Sequence, residues 1–237
     1  MSANTAQGVI GKAFVDAGRL PRGGTPSSAQ YSDGLDRLND IINVLQTEGQ
    51  RLWLEEEYSL TSPILQVGQQ TYTFGSGGDV SMDRPLRVKQ GAYRESTGSN
   101  LRPLTPYSRE EWTRLGNRSG SGSINGYFVE KHADFLNLSL WQVPDTTSAA
   151  GSVVLILHTQ AANPTSVSLA TGFPIEWVMA LRWLLAADLA TGMPDQIVQR
   201  AEQKAEMYKR ALGDWDVEDA PVRFALNLQA AAPSRFR

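Results

Sequence analysis

The sequence predicts an α+β fold with a helical body of four main helices, a β-rich insertion and an extended C-terminal tail. Two strongly helical segments, at about 28–50 and 175–190, are separated by a long stretch of strand-like alternation, glycines and prolines. Helices so far apart in the chain are expected to pack together and close one body around the residues between them. The expected divisions are the helical body at 1–55 and 165–215, the insertion at 56–164 and the tail at 216–237.

The two N-terminal helices are predicted from apolar residues spaced three and four apart, which places them on one helix face. A first short helix covers 4–17, and the segment 19–26 ends it because proline and paired glycines do not continue a helix. The second helix runs from about Ser28 to Gln50, and Gly49 is its predicted C-terminal stop. Its apolar stripe consists of Leu35, Leu38, Ile41, Ile42 and Leu45.

Alternating and aromatic residues predict strands in the insertion, for example at 71–74 and most strongly at 135–141. Ser108 followed by Glu111 is a capping-box pattern, which predicts a small helix at that point. The segment 116–123 contains mostly glycine and serine, so we expect a flexible loop there.

The segment 175–190 is apolar on nearly all sides, which predicts a helix buried against several neighbours. Pro174 suits its first turn, where the missing N–H is not needed. Trp177 and Trp183 are expected to pack in the core or at a subunit interface, because large aromatic side chains are usually buried. A fourth helix is predicted at about 195–213.

Beyond Ala220 the chain becomes basic and strand-patterned, and no acidic residue follows Asp219. An extended segment would place its alternate apolar residues on one side. We expect it to add to a sheet edge or to fill a groove on another chain, although a frayed terminus is the alternative. The residues predicted to contact that partner are Val222, Arg223, Phe224, Leu226, Leu228, Arg235 and Arg237.

Composition narrows the classes of function. The 237-residue chain has a formal net charge of −3, which gives no overall attraction to nucleic acid or anionic lipid. It contains no cysteine, so disulfides, thiolate metal sites and a cysteine nucleophile are excluded. No secretory signal is recognisable, and the apolar segment 175–190 is shorter than the ~20 residues that cross a bilayer. These features predict a soluble protein.

A search for catalytic or ligand-binding motifs finds none with the required context. The glycines at 75–78 and 120–122 lack the lysine and the strand-to-helix setting of a phosphate loop. His132 and His158 lack metal-ligand spacing, so a structural or surface role is favoured for both. The glutamates at 55–57 are more typical of a solvated charge run than of a catalytic carboxylate pair. No catalytic, cofactor-binding or metal-binding residue is predicted, and no cofactor.

Several short segments occur in a distinctive order between residues 4 and 213. They are Leu35-Asp36-Arg37-Leu38-Asn39-Asp40-Ile41-Ile42, Glu48-Gly49-Gln50-Arg51-Leu52-Trp53, Gln69-Gln70-Thr71-Tyr72-Thr73-Phe74, Asp83-Arg84-Pro85-Leu86-Arg87-Val88, Ala92-Tyr93-Arg94, Ser108-Arg109-Glu110-Glu111-Trp112, Leu138-Ser139-Leu140-Trp141-Gln142-Val143-Pro144 and Phe173-Pro174. Each segment is weak alone. Together, their order and spacing resemble the head-to-tail adaptor proteins of tailed bacteriophages, also called tail accessory or DNA-stabilising head-completion proteins.

This resemblance implies an α-helical body with a β-rich insertion, arranged as a ring, commonly of twelve copies, below the portal protein. The ring would extend the DNA channel, let DNA pass without specific binding and dock tail or nozzle proteins on its lower face. A C-terminal extension often grips the portal in such proteins, and the tail after Ala220 is the corresponding part here. The implied location is the head-tail junction of the virion, after assembly in the host cytoplasm.

Two other classes of function are weighed against this structural, non-enzymatic connector. A virion-associated peptidoglycan hydrolase would use acidic residues near 55–57 and would show turnover on purified cell wall. A DNA-binding protein is disfavoured because the body is not basic, and non-specific affinity for DNA comes mainly from phosphate neutralisation.

Overall fold

The computed structural model describes residues 4–47, 54–98 and 100–215. Its α-helices are α1 (Ala6–Asp16), α2 (Ser28–Leu45), α3 (Arg109–Arg114), α4 (Thr146–Ala149), α5 (Val178–Leu189) and α6 (Asp195–Trp215). Its strands are β1 (Glu55–Leu60), β2 (Thr71–Gly75), β3 (Arg87–Arg94), β4 (Leu101–Pro103), β5 (Thr105–Tyr107), β6 (Ser121–Gly122), β7 (Gly126–Lys131), β8 (Phe135–Trp141), β9 (Val143–Pro144) and β10 (Ser152–His158). A short 3-10 helix, Ile175–Trp177, precedes α5. The tail predicted at 216–237 lies outside the described residues.

The prediction of a four-helix body is wrong, because the described chain is a β-rich α+β fold with six α-helices and three sheets. Two of the helices lie among the strands and depend on side-chain caps. Helix α3 begins at the capping box of Ser108 and Glu111, as the sequence predicts. Helix α4 was not predicted, since its four residues are too few to show a helical period; Asp145 caps it by accepting from Ser148 N. The sheets also enclose a core of their own, so strands as well as helices define the fold.

One hydrophobic core lies between α1, α2, α5 and α6, with α5 at its centre. Helix α5 contacts each of the other three helices, and its Leu181 and Leu185 are fully buried. Leu38 and Ile42 of α2 are fully buried in the same core. The sequence predicts that the helices at about 28–50 and 175–190 pack together, and the contact of α2 with α5 confirms this prediction. A helix covered by three others also explains why the α5 sequence is apolar on nearly all sides.

Local hydrogen bonds fix the ends of these helices. Thr5 Oγ1 accepts from Gly8 N at the start of α1, and Ser27 with Gln30 forms a capping box at the start of α2. At the C-terminal end of α5, Arg19 Nε donates to the carbonyl of Leu189 at 2.9 Å. A guanidinium at that position satisfies a carbonyl that the helix itself leaves unpaired, and its charge suits the helix C-terminus.

A second core lies between the two four-stranded sheets, whose strand orders are β1-β10-β3-β4 and β2-β8-β7-β5. Strand β8 alternates strictly, with Leu136, Leu138 and Leu140 fully buried and the residues between them half-buried. This alternation is the signal that made β8 the strongest strand prediction. The third sheet pairs β6 with β9, so part of the Gly/Ser loop at 116–123 is held by backbone hydrogen bonding. The flexibility of the rest of that loop stays a prediction.

The two places where the chain enters and leaves the β region lie side by side. The backbone N–H and the hydroxyl of Thr159 both donate to the carbonyl of Leu54, at 2.8 and 3.0 Å. Nearby, the buried Gln46 side chain accepts from the backbone N–H of Ala161 at 2.9 Å. Leu54 and Ala161 also belong to the helical core. These contacts join the two cores at a neck and fix the β region at that point.

Gly34 allows α1 and α2 to approach closely. A Cβ atom on Gly34 would lie 2.6 Å from Ile10 Cγ2 and 3.2 Å from Phe14 Cε2. Gly11 in α1 differs, because a Cβ atom there would make an ordinary contact, 3.5 Å from the Tyr31 hydroxyl. A methyl group added at Gly34 would therefore clash with α1, whereas one added at Gly11 would make an ordinary contact.

We predict that Gly34→Ala lowers the free energy of unfolding by about 1–3 kcal/mol, because the added methyl group overpacks the α1–α2 contact. The matched control, Gly11→Ala, should raise it by about 0.5–1 kcal/mol, because alanine loses less backbone entropy in a helix. Urea denaturation of the two variants measures both changes. Equal effects of the two substitutions would contradict the close packing of α1 on α2.

Candidate interaction surfaces

The structure places the two predicted tryptophans in different surroundings. Trp177 is buried in the helical core and makes an edge-to-face contact with Phe173, with ring centroids 6.0 Å apart. Trp183 is half-buried against the same core, and the Arg182 guanidinium lies 5.8 Å from its ring centroid. Its indole N–H is shielded from solvent and has no hydrogen-bond partner among the described residues. The residues predicted to bind the portal, Val222, Arg223, Phe224, Leu226, Leu228, Arg235 and Arg237, lie outside the described residues.

The residues considered for chemistry do not converge on a reaction site in the described part of the chain. Both carboxylate oxygens of Glu55 accept hydrogen bonds from Lys89 Nζ, at 2.9 and 3.0 Å, while Glu56 and Glu57 are exposed on β1. His132 stacks on Phe135 at the surface, and His158 is buried at the end of β10. Among residues 4–47, 54–98 and 100–215, no three His, Asp or Glu side chains are grouped as a metal site.

An acidic face lies along α2 and α5 on the helical part; we define it by Asp33, Asp36, Asp40 and Val44 of α2 and Asp188 of α5. The four aspartates are exposed, and the half-buried Ile41 and Leu184 lie between the two helices. Asp36 and Asp40 are four residues apart on one helix face, a spacing at which like charges repel. In the described residues neither forms an ion pair or a side-chain hydrogen bond. This face therefore carries negative charge that its own neighbours do not neutralise.

Arg37 is the cation that pairs with the aspartates of the acidic face, and Arg19 lies beside Asp33 and Asp188 at its edge. Its guanidinium bonds Asp188 at 2.7 Å and Asp33 at 3.0 Å, and so links α2 to α5. The hydrogen bond to Asp188 is the largest of the effects that raise the pKa of Arg37, followed by the one to Asp33. Arg37 thus remains charged and balances one of the four carboxylates.

A basic groove lies on another side of the helical part, between α1, the loop that follows it, and α5. We define it by Lys12, Arg22 and Arg182, and Gly11 and Tyr31 also line it. Its volume is about 550 Å³. Arg182 forms an ion pair with Asp16. Lys12 and Arg22 are exposed, and within the described chain their side chains form no ion pair or hydrogen bond.

Exposed apolar side chains accompany both charged surfaces. Val44, 57% exposed, follows Asp40 by four residues and so lies on the same side of α2. Met179, 38% exposed, lies three residues before Arg182 and so on its side of α5, and Ile175, 63% exposed, lies in the 3-10 helix that precedes α5. Large apolar side chains left exposed beside a charged surface are typical of protein interfaces.

An aromatic cluster covers one end of the β2-β8-β7-β5 sheet, and the sequence did not predict it. Trp112 of α3 stacks on Phe128 of β7 with ring centroids 5.4 Å apart, and Tyr107 contacts both Trp112 and Trp141. Arg109 extends over Phe128 and pairs with Glu130, and this hydrogen bond lowers the pKa of the Glu130 carboxyl. The cluster fastens α3 to the sheet.

The sequence contained partial signals for these surfaces. Asp33, Asp36 and Asp40 fall on the polar side of the predicted second helix, so an acidic stripe was recognisable. Asp188 of α5 joins this stripe because α2 packs on α5, and the spacing of residues in the sequence does not specify that packing. Lys12, Arg22 and Arg182 come from three separate segments, and the fold alone brings them together.

The chain is similar to a known protein family. The family model described as SU10 adaptor protein matches residues 5–225, which is most of the chain. A search of curated proteins finds no match. In the described residues, no helix is long and apolar enough to cross a membrane.

We predict that Arg37→Gln lowers the free energy of unfolding by less than about 1 kcal/mol, because the ion pairs it removes are partly exposed. The variant removes the ion pairs of Arg37 with Asp33 and Asp188, so added salt should recover part of the loss by screening the repulsion among the aspartates. Denaturation at low and high salt measures this. Arg114→Gln is the control; its pair with Glu110 is largely exposed, and no change is expected. A loss in Arg37→Gln that is independent of salt would contradict the electrostatic explanation.

Proposed function

Because the chain belongs to the SU10 adaptor protein family, and is therefore a structural adaptor of a bacteriophage virion, we propose that it forms a ring below the portal. The ring would extend the DNA channel and dock tail or nozzle proteins. The family match over residues 5–225 is the observation that carries this proposal. It also confirms the resemblance to phage head-to-tail adaptors that the order of short segments gives.

The construction of the described chain supports a structural role. Two separate hydrophobic cores are joined at a neck by the bonds of Thr159 to Leu54 and of Ala161 to Gln46. Buried apolar side chains and satisfied backbone groups resist local opening. A connector that carries load between a capsid and a tail benefits from this arrangement. We propose that 1–55 and 165–215 form the part that builds the ring, and that 56–164 form an insertion on it.

DNA would pass through the channel without specific binding. The formal net charge of the chain is −3, and non-specific affinity for DNA grows with the number of phosphates that cations neutralise. A channel wall with weak attraction for phosphate lets the DNA slide. Assembly of the ring would take place in the host cytoplasm, before the tail is attached.

The alternative function, a virion-associated peptidoglycan hydrolase acting through the glutamates at 55–57, has less support. Glu55 is neutralised by Lys89, and a glycosidase needs a second carboxylate facing the first across the scissile bond. Adjacent residues of β1 point to opposite faces of its sheet, so Glu56 shares a face with neither Glu55 nor Glu57. Glu55 and Glu57 lie on one face, but Lys89 holds the Glu55 carboxylate. Turnover on purified cell wall would revive this alternative.

We predict that the full chain is monomeric alone and forms a closed ring when mixed with portal rings of the same phage. Native mass spectrometry of the protein with and without the portal tests this directly. The portal-bound complex should gain an integral number of subunits, and twelve is the number implied by the resemblance. A stable small dimer that does not change on addition of portal would contradict the proposal.

We predict that deleting residues 221–237 leaves the rest of the chain folded but abolishes attachment to the portal. The deleted segment contains the apolar and basic residues proposed to contact the portal: Val222, Arg223, Phe224, Leu226, Leu228, Arg235 and Arg237. Circular dichroism checks the fold, and co-sedimentation with portal rings measures attachment. The triple variant Arg223→Ala, Arg235→Ala, Arg237→Ala should bind more weakly than the native chain at low salt, and this difference should shrink as salt rises because salt screens the attraction. Normal attachment by the truncated chain would leave only the frayed-terminus interpretation.

A further inference from the structure

We propose that the acidic face of one copy docks on the basic groove of the next, so that copies of this chain join head to tail. This inference rests on the proposed ring and identifies the two surfaces that would build it. The acidic face is that of Asp33, Asp36, Asp40, Val44 and Asp188, and the basic groove is that of Lys12, Arg22 and Arg182.

The charges of the two surfaces are complementary. The acidic face has four carboxylates, with Arg37 among them and Arg19 at its edge, whereas the basic groove has three cations and one carboxylate, that of Asp16. Within the described residues, Asp36, Asp40, Lys12 and Arg22 have no ion-pair partner in their own chain. Docking would give each of these four groups an opposite charge and would relieve the repulsion along α2.

The positions of the two surfaces permit head-to-tail contacts between copies. An α-helix turns by about 100° per residue, so on α2 the groove residue Tyr31 and the acidic-face residue Asp40 point in opposite directions. On α5 the groove residue Arg182 and the acidic-face residue Asp188 are six residues apart and point about 120° away from each other. The two surfaces therefore lie on different sides of the α2–α5 pair. Complementary patches on different sides of one subunit form heterologous contacts, and such contacts close into a ring when the rotation from one subunit to the next divides a full turn.

Apolar area is available on each side of the proposed contact. Val44 is exposed within the acidic face, and Met179 is exposed on the side of α5 that carries Arg182. Charged groups mainly set orientation and association rate, while apolar burial supplies most of the free energy of association. Each of the two surfaces therefore has charged groups and an exposed apolar side chain, so contact between them can supply both attraction and apolar burial.

A second copy accounts for more of the surface than an outside partner does. An acidic segment of another protein could fill the basic groove, but it would leave Asp36 and Asp40 unneutralised and Val44 exposed. A copy of this chain neutralises both surfaces with the same contact. Each subunit of the ring would then use its acidic face once and its groove once.

Charge reversal tests this arrangement. The double variants Asp36→Lys/Asp40→Lys and Lys12→Glu/Arg22→Glu each place like charges across every contact. All four positions are exposed, so both variants should fold with melting temperatures close to the native chain. We expect native mass spectrometry with portal rings to show loss of the closed ring for each double variant.

Restoring complementarity should restore the ring. The quadruple variant, Lys12→Glu/Arg22→Glu/Asp36→Lys/Asp40→Lys, has opposite charges across every contact and should form rings again. An equal mixture of the two double variants should also assemble, because alternation of the two places opposite charges at each contact. Such mixed rings close only with an even number of subunits.

Matched controls separate this effect from a general change of charge. Glu202→Lys/Glu206→Lys changes two exposed acidic residues at the same spacing on α6, and Arg118→Glu/Lys131→Glu changes two exposed cations in the β region. Both controls should form rings as the native chain does. Rings from both reversed double variants, or a failure of the mixture and the quadruple variant to recover rings, would overturn the inference. If the native chain itself forms no ring with the portal, the proposed function fails and this interface with it.

Discussion

The burial of α5 is the constraint on which the rest of the described structure depends. This helix is apolar on nearly all sides, so it is stable only when neighbours cover it, and α1, α2 and α6 do so. Fully burying a leucine side chain such as Leu181 or Leu185 contributes about 1.5–3 kcal/mol. Because α1 and α2 come from the start of the chain and α5 from near its end, covering α5 also brings together the two connections to the β region. The neck at Thr159 and Leu54 follows from that closure.

Strong periodicity made the main elements of the fold predictable. The stripe of Leu38 and Ile42, the apolar third helix and the alternation of β8 are long patterns, and each appears in the structure. The four-helix body was a wrong prediction because the helical segments have the clearest periodicity, and the strands between them were interpreted as an insertion. Short elements such as α4, and the pairing of the strands into two sheets around their own core, depend on contacts between distant residues that no local period encodes.

The candidate surfaces were less predictable than the fold, for a physical reason. Asp36 and Asp40 are neighbours in sequence and formed a recognisable stripe, but Lys12, Arg22 and Arg182 meet only through the packing of α1 and its loop on α5. The family assignment came from the order of short segments rather than from any chemistry. Charge complementarity between different sides of one subunit becomes visible only when the directions of the side chains on α2 and α5 are known.

Chemical cross-linking of the assembled protein tests most directly whether neighbouring copies meet through these two surfaces. The chain has no cysteine, so Lys12→Cys/Asp36→Cys would carry one thiol on the basic groove and one on the acidic face. With a short bis-maleimide, portal-bound rings of this variant should give a ladder of covalent multimers up to the full ring, and either single variant should give none. Rings of the double variant that yield only monomers would contradict the account.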